Sequence, residues 1–129
     1  MDAASVAAVI FTAVAVVAVG FQLALAAGAP WGAYAMGARF PGRLPVPMRV
    51  AALAQGIVLV LLAGVVLARS GLALEAWLPS ATWLIWVVVG FSALSLIMNS
   101  ISSSKGERLV WTPVAVVMVA SSLVVALLG

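Results

Sequence analysis

The chain has 129 residues, 67% of them hydrophobic and 7% charged, with a formal net charge of +3. A soluble domain averages about 25% charged residues, and no water-soluble fold hides this much apolar surface, so the composition predicts an integral membrane protein. The sequence has no Cys and no His, which excludes disulfides, thiolate or imidazole metal sites and Cys or His nucleophiles. It also has no glycine-rich phosphate loop, zinc-ligand spacing or nucleic-acid motif, so no metal, cofactor or nucleic-acid partner is expected.

A first apolar segment runs over about 3–27, with Asp2 as its N-cap and Gly28 and Pro30 as stop signals. It lacks the basic n-region of a signal peptide and exceeds the 7–15 residues of an h-region, so it reads as a retained transmembrane helix. Its 25 residues give about 37 Å, enough to cross a hydrocarbon core of about 30 Å. The connector to residue 46 is rich in Pro and Gly and should not be regularly helical. Trp31 and Tyr34 in it suit the headgroup level.

A second helix is expected over about 47–68, with Pro47 in its first turn and Arg69, Ser70 and Gly71 at its end. Leu72 to Leu78 reads as a short surface helix. A third helix is expected over about 81–98 with Ser80 as N-cap, and Ser92, Ser95 and Asn99 share one face by spacing. The fourth has two starts open to it. Thr112-Pro113 would leave a short helix of about 24 Å, whereas a capping box at Ser104 and Glu107 gives a helix over about 105–128 with Pro113 inside. The second start is preferred.

The expected architecture is therefore an all-α, four-helix transmembrane bundle in one integral membrane domain, 1–129. Five of the six Lys and Arg residues (Arg39, Arg43, Arg49, Lys105 and Arg108) fall in or beside the first and third connectors, and only Arg69 falls at the other end. The positive-inside rule then places connectors 28–46 and 99–104 in the cytoplasm and both termini outside. Val19-Gly20-Phe21-Gln22 and Val89-Gly90-Phe91-Ser92 occupy matching places in helices 1 and 3, which suggests two hairpins related as a parallel repeat.

Two constellations stand out. Gln22, Gln55, Ser92, Ser95 and Asn99, with Thr112 beside them, should lie in the cytoplasmic half. They read either as interhelical glue, at roughly 0.6 kcal/mol per bond, or as a polar vestibule for a small ligand or lipid headgroup. The rim of Arg39, Arg43, Arg49, Lys105, Glu107 and Arg108 reads either as a topology and headgroup signal or as an anion site held by Arg49 or Arg108. Glu107, alone among the acids there, serves the capping box or pairs with Arg43 or Arg49. A lone carboxylate is a poor catalytic set, so no enzyme is expected. An aromatic belt is expected from Trp31, Tyr34 and Trp111 on the inside and Trp77, Trp83 and Trp86 on the outside.

Gly28-Ala-Pro-Trp-Gly32, Leu44-Pro45 with Arg49, and the run Asn99, Ser102, Ser104, Glu107, Arg108, Thr112-Pro113 resemble a family of small four-helix bacterial membrane proteins of unknown function. The resemblance spans the chain and implies a bacterial inner-membrane location, but no activity. Helix 1 lacks the membrane-embedded Glu of the small multidrug exporters. The expected function is that of a small, non-enzymatic inner-membrane protein that binds a membrane partner or lipid through its cytoplasmic face, as a homo-oligomer or within a larger membrane complex. The alternative is a small-molecule, ion or lipid transporter or channel.

Overall fold

Asp2 starts the first helix by accepting the Ser5 backbone N–H at 2.8 Å, and that bond holds its carboxyl below the ordinary value. The computed structural model describes residues 2–129, and the described residues form four long α-helices. Helix α1 is Ala3–Ala27. It ends at Gly28, whose φ of 103° is the left-handed conformation that only glycine adopts without strain. Two 3₁₀ turns, Gly32–Tyr34 and Met36–Ala38, occupy the connector. Helices α2 (Val46–Ser70), α3 (Leu78–Ser100) and α4 (Lys105–Leu128) follow.

Two helices run longer than their expected bounds. Pro45 is the N-cap of α2, so Val46 already belongs to the helix and Pro47 sits in its first turn, where no N–H is required. At the far end the Ser70 hydroxyl donates to Leu67 O at 3.0 Å. A 3₁₀ turn, Glu75–Trp77, runs straight into α3. The surface helix expected over Leu72 to Leu78 is thus reduced to one turn, and Ser80 lies inside α3 rather than capping it. Beyond Met98, Asn99 Nδ2 and Ser100 Oγ donate to Ser95 O and Leu96 O at 2.7 and 2.6 Å. The terminal carbonyls of Ile97 and Asn99 are taken by the Ile101 and Ser102 N–H groups at 3.1 and 3.4 Å.

Helix α4 begins at Lys105. Ser104 Oγ accepts from the Glu107 N–H at 3.1 Å, and Pro113 lies inside the helix. The capping box is only half made. The Ser104 N–H donates to Ser102 Oγ at 3.1 Å, and the Glu107 side chain turns away to another partner.

The helices pack in ring order, each beside its neighbours in sequence, with α4 closing against α1. Consecutive helices are antiparallel, so the first and third connectors share one end and the termini share the other. There, Arg69 Nη2 donates to Ala126 O at 3.4 Å. The main core holds Phe11, Val66, Ile85, Val88 and Val125. A smaller cluster of Leu25, Leu44 and Ala52 lies under the first connector.

All four helices are long and apolar enough to cross a membrane, and only 22–39% of each apolar window is buried within the chain. Most of each window is therefore left uncovered by the chain itself. Val16, Val60, Leu94, Ile97 and Leu109 are among the exposed side chains, as befits a multi-pass membrane protein.

Candidate functional site

Small residues on the inward faces keep the four helices from closing at the connector end. Ala18, Ala51, Ala52, Ser95 and Ala115 leave a cavity of 390 Å³ lined by every helix and by the first connector. Its floor is the top of the main core, at Ala18, Leu59 and Met118. Its cover is Tyr34, Ala35 and Met36. On α4 the lining runs from Glu107 to Met118, a depth of about 16 Å at the helical rise.

Four of the five expected vestibule residues, Gln22, Gln55, Ser95 and Asn99, line this space. Neither glutamine amide has a hydrogen-bond partner among the described residues, and both side chains are only partly buried. Asn99 spends its amide N–H on Ser95 O. Ser92 departs from expectation. It is fully buried with an unpartnered hydroxyl, on the α3 stripe Ala81, Ile85, Val88 that packs into the core. The cavity stripe of α3 is Phe91, Ser95, Asn99 at strict i, i+4 spacing, and at the level of residue 92 the lining residue is Phe91, about 100° round the helix from it. Thr112 is half-buried, with its hydroxyl buried and unpartnered, and is not in the lining.

The rim separates into different jobs. Arg49 Nε donates to Ala26 O at 2.9 Å, and Arg108 Nη1 makes a short bond to Ser102 O. The Arg49 guanidinium therefore sits on a carbonyl in the last turn of α1, where the dipole is negative, whereas Arg108 holds the connector two residues beyond the end of α3. Neither arginine lines the cavity. The Arg43 guanidinium lies against Gly28, and Arg39 sits 5.6 Å from the Phe40 ring centroid. Lys105 is exposed.

Glu107 is the exception. It is 9% exposed and lines the cavity, and its Oε2 accepts the Gly37 N–H at 3.0 Å. The third connector holds the first by two further bonds, Ser104 Oγ to Ala33 O at 2.5 Å and Ser103 Oγ to Gly37 O at 3.3 Å. Met36, Gly37 and Ala38 have φ of 52°, 66° and 64°. The two non-glycine residues cost about 1–2 kcal/mol each in that conformation. This strained segment adjoins the cavity and is held in place by Glu107 and Ser103.

Sequence reasoning missed the aromatic share of the site. Phe21, Tyr34, Phe91 and Trp111 all line it. Trp111 was expected in the interfacial belt, but it points inward and meets Phe21 at 4.6 Å between centroids, while Phe21 stacks on Trp31 at 6.3 Å. Its indole N–H is buried without an acceptor. The signal was available in the helical period of α4, where Glu107, Trp111, Val114, Ala115 and Met118 fall on one face. Trp77, Trp83 and Trp86 are exposed at the opposite end, as a belt requires.

Against protein-family models, curated proteins and solved structures, the chain finds no match.

Proposed function

We propose that this is a small, non-enzymatic protein of a bacterial inner membrane that binds an amphipathic ligand, a lipid or a membrane-borne partner group, in the cavity at its connector end. That end faces the cytoplasm by the excess of Arg39, Arg43, Arg49, Lys105 and Arg108 over Arg69. One observation carries the reading. Gln22 and Gln55 come from different helices, reach the same cavity and have no hydrogen-bond partner among the described residues. Interhelical glue would pair such amides with each other or with backbone, because an unpaired amide in an apolar setting costs free energy. The apolar floor below them suits the tail of an amphiphile. The volume falls in the ordinary range for ligand sites, roughly 300–1,000 Å³.

The experiment is native mass spectrometry of the full chain purified from membranes in mild detergent. A stoichiometric adduct should be retained by the wild type and lost from the doubly substituted chain Gln22→Leu, Gln55→Leu. An adduct held equally by both, or none in the wild type, contradicts the reading.

A second reading, transport, is favoured by Leu59. This residue lines the polar cavity and also a separate apolar groove of 310 Å³ between α1 and α2. One side chain therefore separates the cavity from a lipid-facing surface. Flux into liposomes that rises in Leu59→Ala and falls in Gln55→Leu would support transport over simple binding.

A further inference from the structure

The lining contains one formal charge, Glu107, and no Lys or Arg. The guanidinium groups are placed elsewhere: Arg49 and Arg108 on carbonyls, Arg39 beside Phe40, Arg43 against Gly28, and Arg69 at the far end of the bundle. A carboxylate has about four acceptor positions, and in Glu107 one backbone N–H supplies a single bond. The N-terminus of α4 adds a partial positive charge worth roughly half an elementary unit. The remainder is an undercompensated buried charge, which favours a cation beside it.

The walls fit the same partner. Phe21, Tyr34, Phe91 and Trp111 are four of the ten aromatic residues in the chain, so aromatic rings are concentrated here well beyond their overall share. Ring faces attract ammonium groups, most strongly when water is excluded. The Gln22 and Gln55 carbonyl oxygens are acceptors for the N–H donors of an alkylammonium and turn a dipole towards a quaternary one.

We propose that the cavity binds an organic cation, an alkyl- or quaternary ammonium with an apolar tail, whose charge sits between Glu107 and the aromatic walls and whose tail rests on Ala18, Leu59 and Met118. This rests on the reading that the cavity is a ligand site. The ammonium comes either from a lipid headgroup or from a free amphiphilic amine.

The test uses the full chain in nonionic detergent and follows the Trp111 indole N–H resonance, assigned with Trp111→Phe. The probes are benzyltrimethylammonium, its neutral isostere neopentylbenzene, and the anion benzylsulfonate. The cation should shift the resonance saturably and bind at least tenfold more tightly than either other probe. Glu107→Gln keeps an oxygen for the Gly37 N–H, and should weaken the cation at least tenfold while leaving the isostere unchanged. Equal binding of cation and isostere, or tighter binding of the anion, overturns the cation assignment and leaves the ligand-site reading standing. That comparison needs no variant, so it holds even where Glu107→Gln fails to fold. No saturable shift with any probe overturns both. Displacement of the bound cation by dihexanoylphosphatidylethanolamine supports a headgroup source, and failure to displace supports a free cation.

Discussion

Arg49 and Arg108 are each the fourth residue of their helix, and each donates to a backbone carbonyl before it in its hairpin, Ala26 O in the last turn of α1 and Ser102 O two residues beyond α3. A charge-assisted bond to a carbonyl contributes roughly 1–3 kcal/mol where it is shielded from water, and for Arg49 the helix dipole adds to it. Arg49→Ala and Arg108→Ala should therefore each lower unfolding stability by about 1–2 kcal/mol, read as the shift in an SDS-unfolding curve. A severe loss in only one of the two would break the equivalence of the hairpins. Gly32 gives a second test at this scale. A Cβ there would run into the Phe40 carbonyl oxygen and lie 2.7 Å from that of Gly42, both backbone atoms that cannot swing aside. Gly32→Ala should cost about 1–3 kcal/mol. Gly20→Ala, with nothing within 4 Å, should be neutral or stabilise by up to about 1 kcal/mol. Equal effects in the same unfolding measurement would contradict the folded geometry of the connector.

At the scale of elements, the helices were legible because their punctuation is chemical. Asp2 and Ser104 are N-caps with side chains that accept a backbone N–H, and Gly28 and Gly71 end helices in the left-handed conformation. Ser104→Ala should cost about 1 kcal/mol. It should also speed hydrogen exchange in the first turn of α4, with Ser104→Asp restoring protection. No change in exchange would argue that the Glu107 N–H finds its partner elsewhere.

Less was legible in the connectors. Nothing in the spacing of Met36 and Ala38 signals positive φ, because neither residue favours it. The half-made capping box was hidden for a related reason. Ser-x-x-Glu specifies a local bond, but in the fold the Glu107 carboxylate reaches Gly37, 70 residues away, while Ser102 takes its place at the Ser104 N–H. On α3 the sequence placed Ser92 with Ser95 and Asn99 by their spacings of three and four. In the fold Ser92 is buried in the helix packing, and at its level Phe91 lines the cavity instead.

For the whole molecule, composition alone was enough to indicate the membrane, and the ring order of four antiparallel helices follows from short connectors. The cavity was only partly legible. Its polar walls could be read from Gln22, Gln55, Ser95 and Asn99, but its aromatic walls and its carboxylate became visible only once the first connector folded over α4. Orientation is testable separately, because the chain has no cysteine of its own. Ser103→Cys should react with a membrane-impermeant maleimide only from the cytoplasmic side, and labelling from outside would reverse the topology.

The same cysteine-free background offers the most direct test of the central claim, that the polar residues of the connector end surround an open site rather than a dry helix contact. Gln55→Cys, two turns into α2, should react in intact membranes with a small hydrophilic thiosulfonate, at a rate within tenfold of Ser103→Cys and from the same side. Failure to react from either side, with Ser103→Cys fully labelled, would show that Gln55 is sealed between packed helices and would contradict the account.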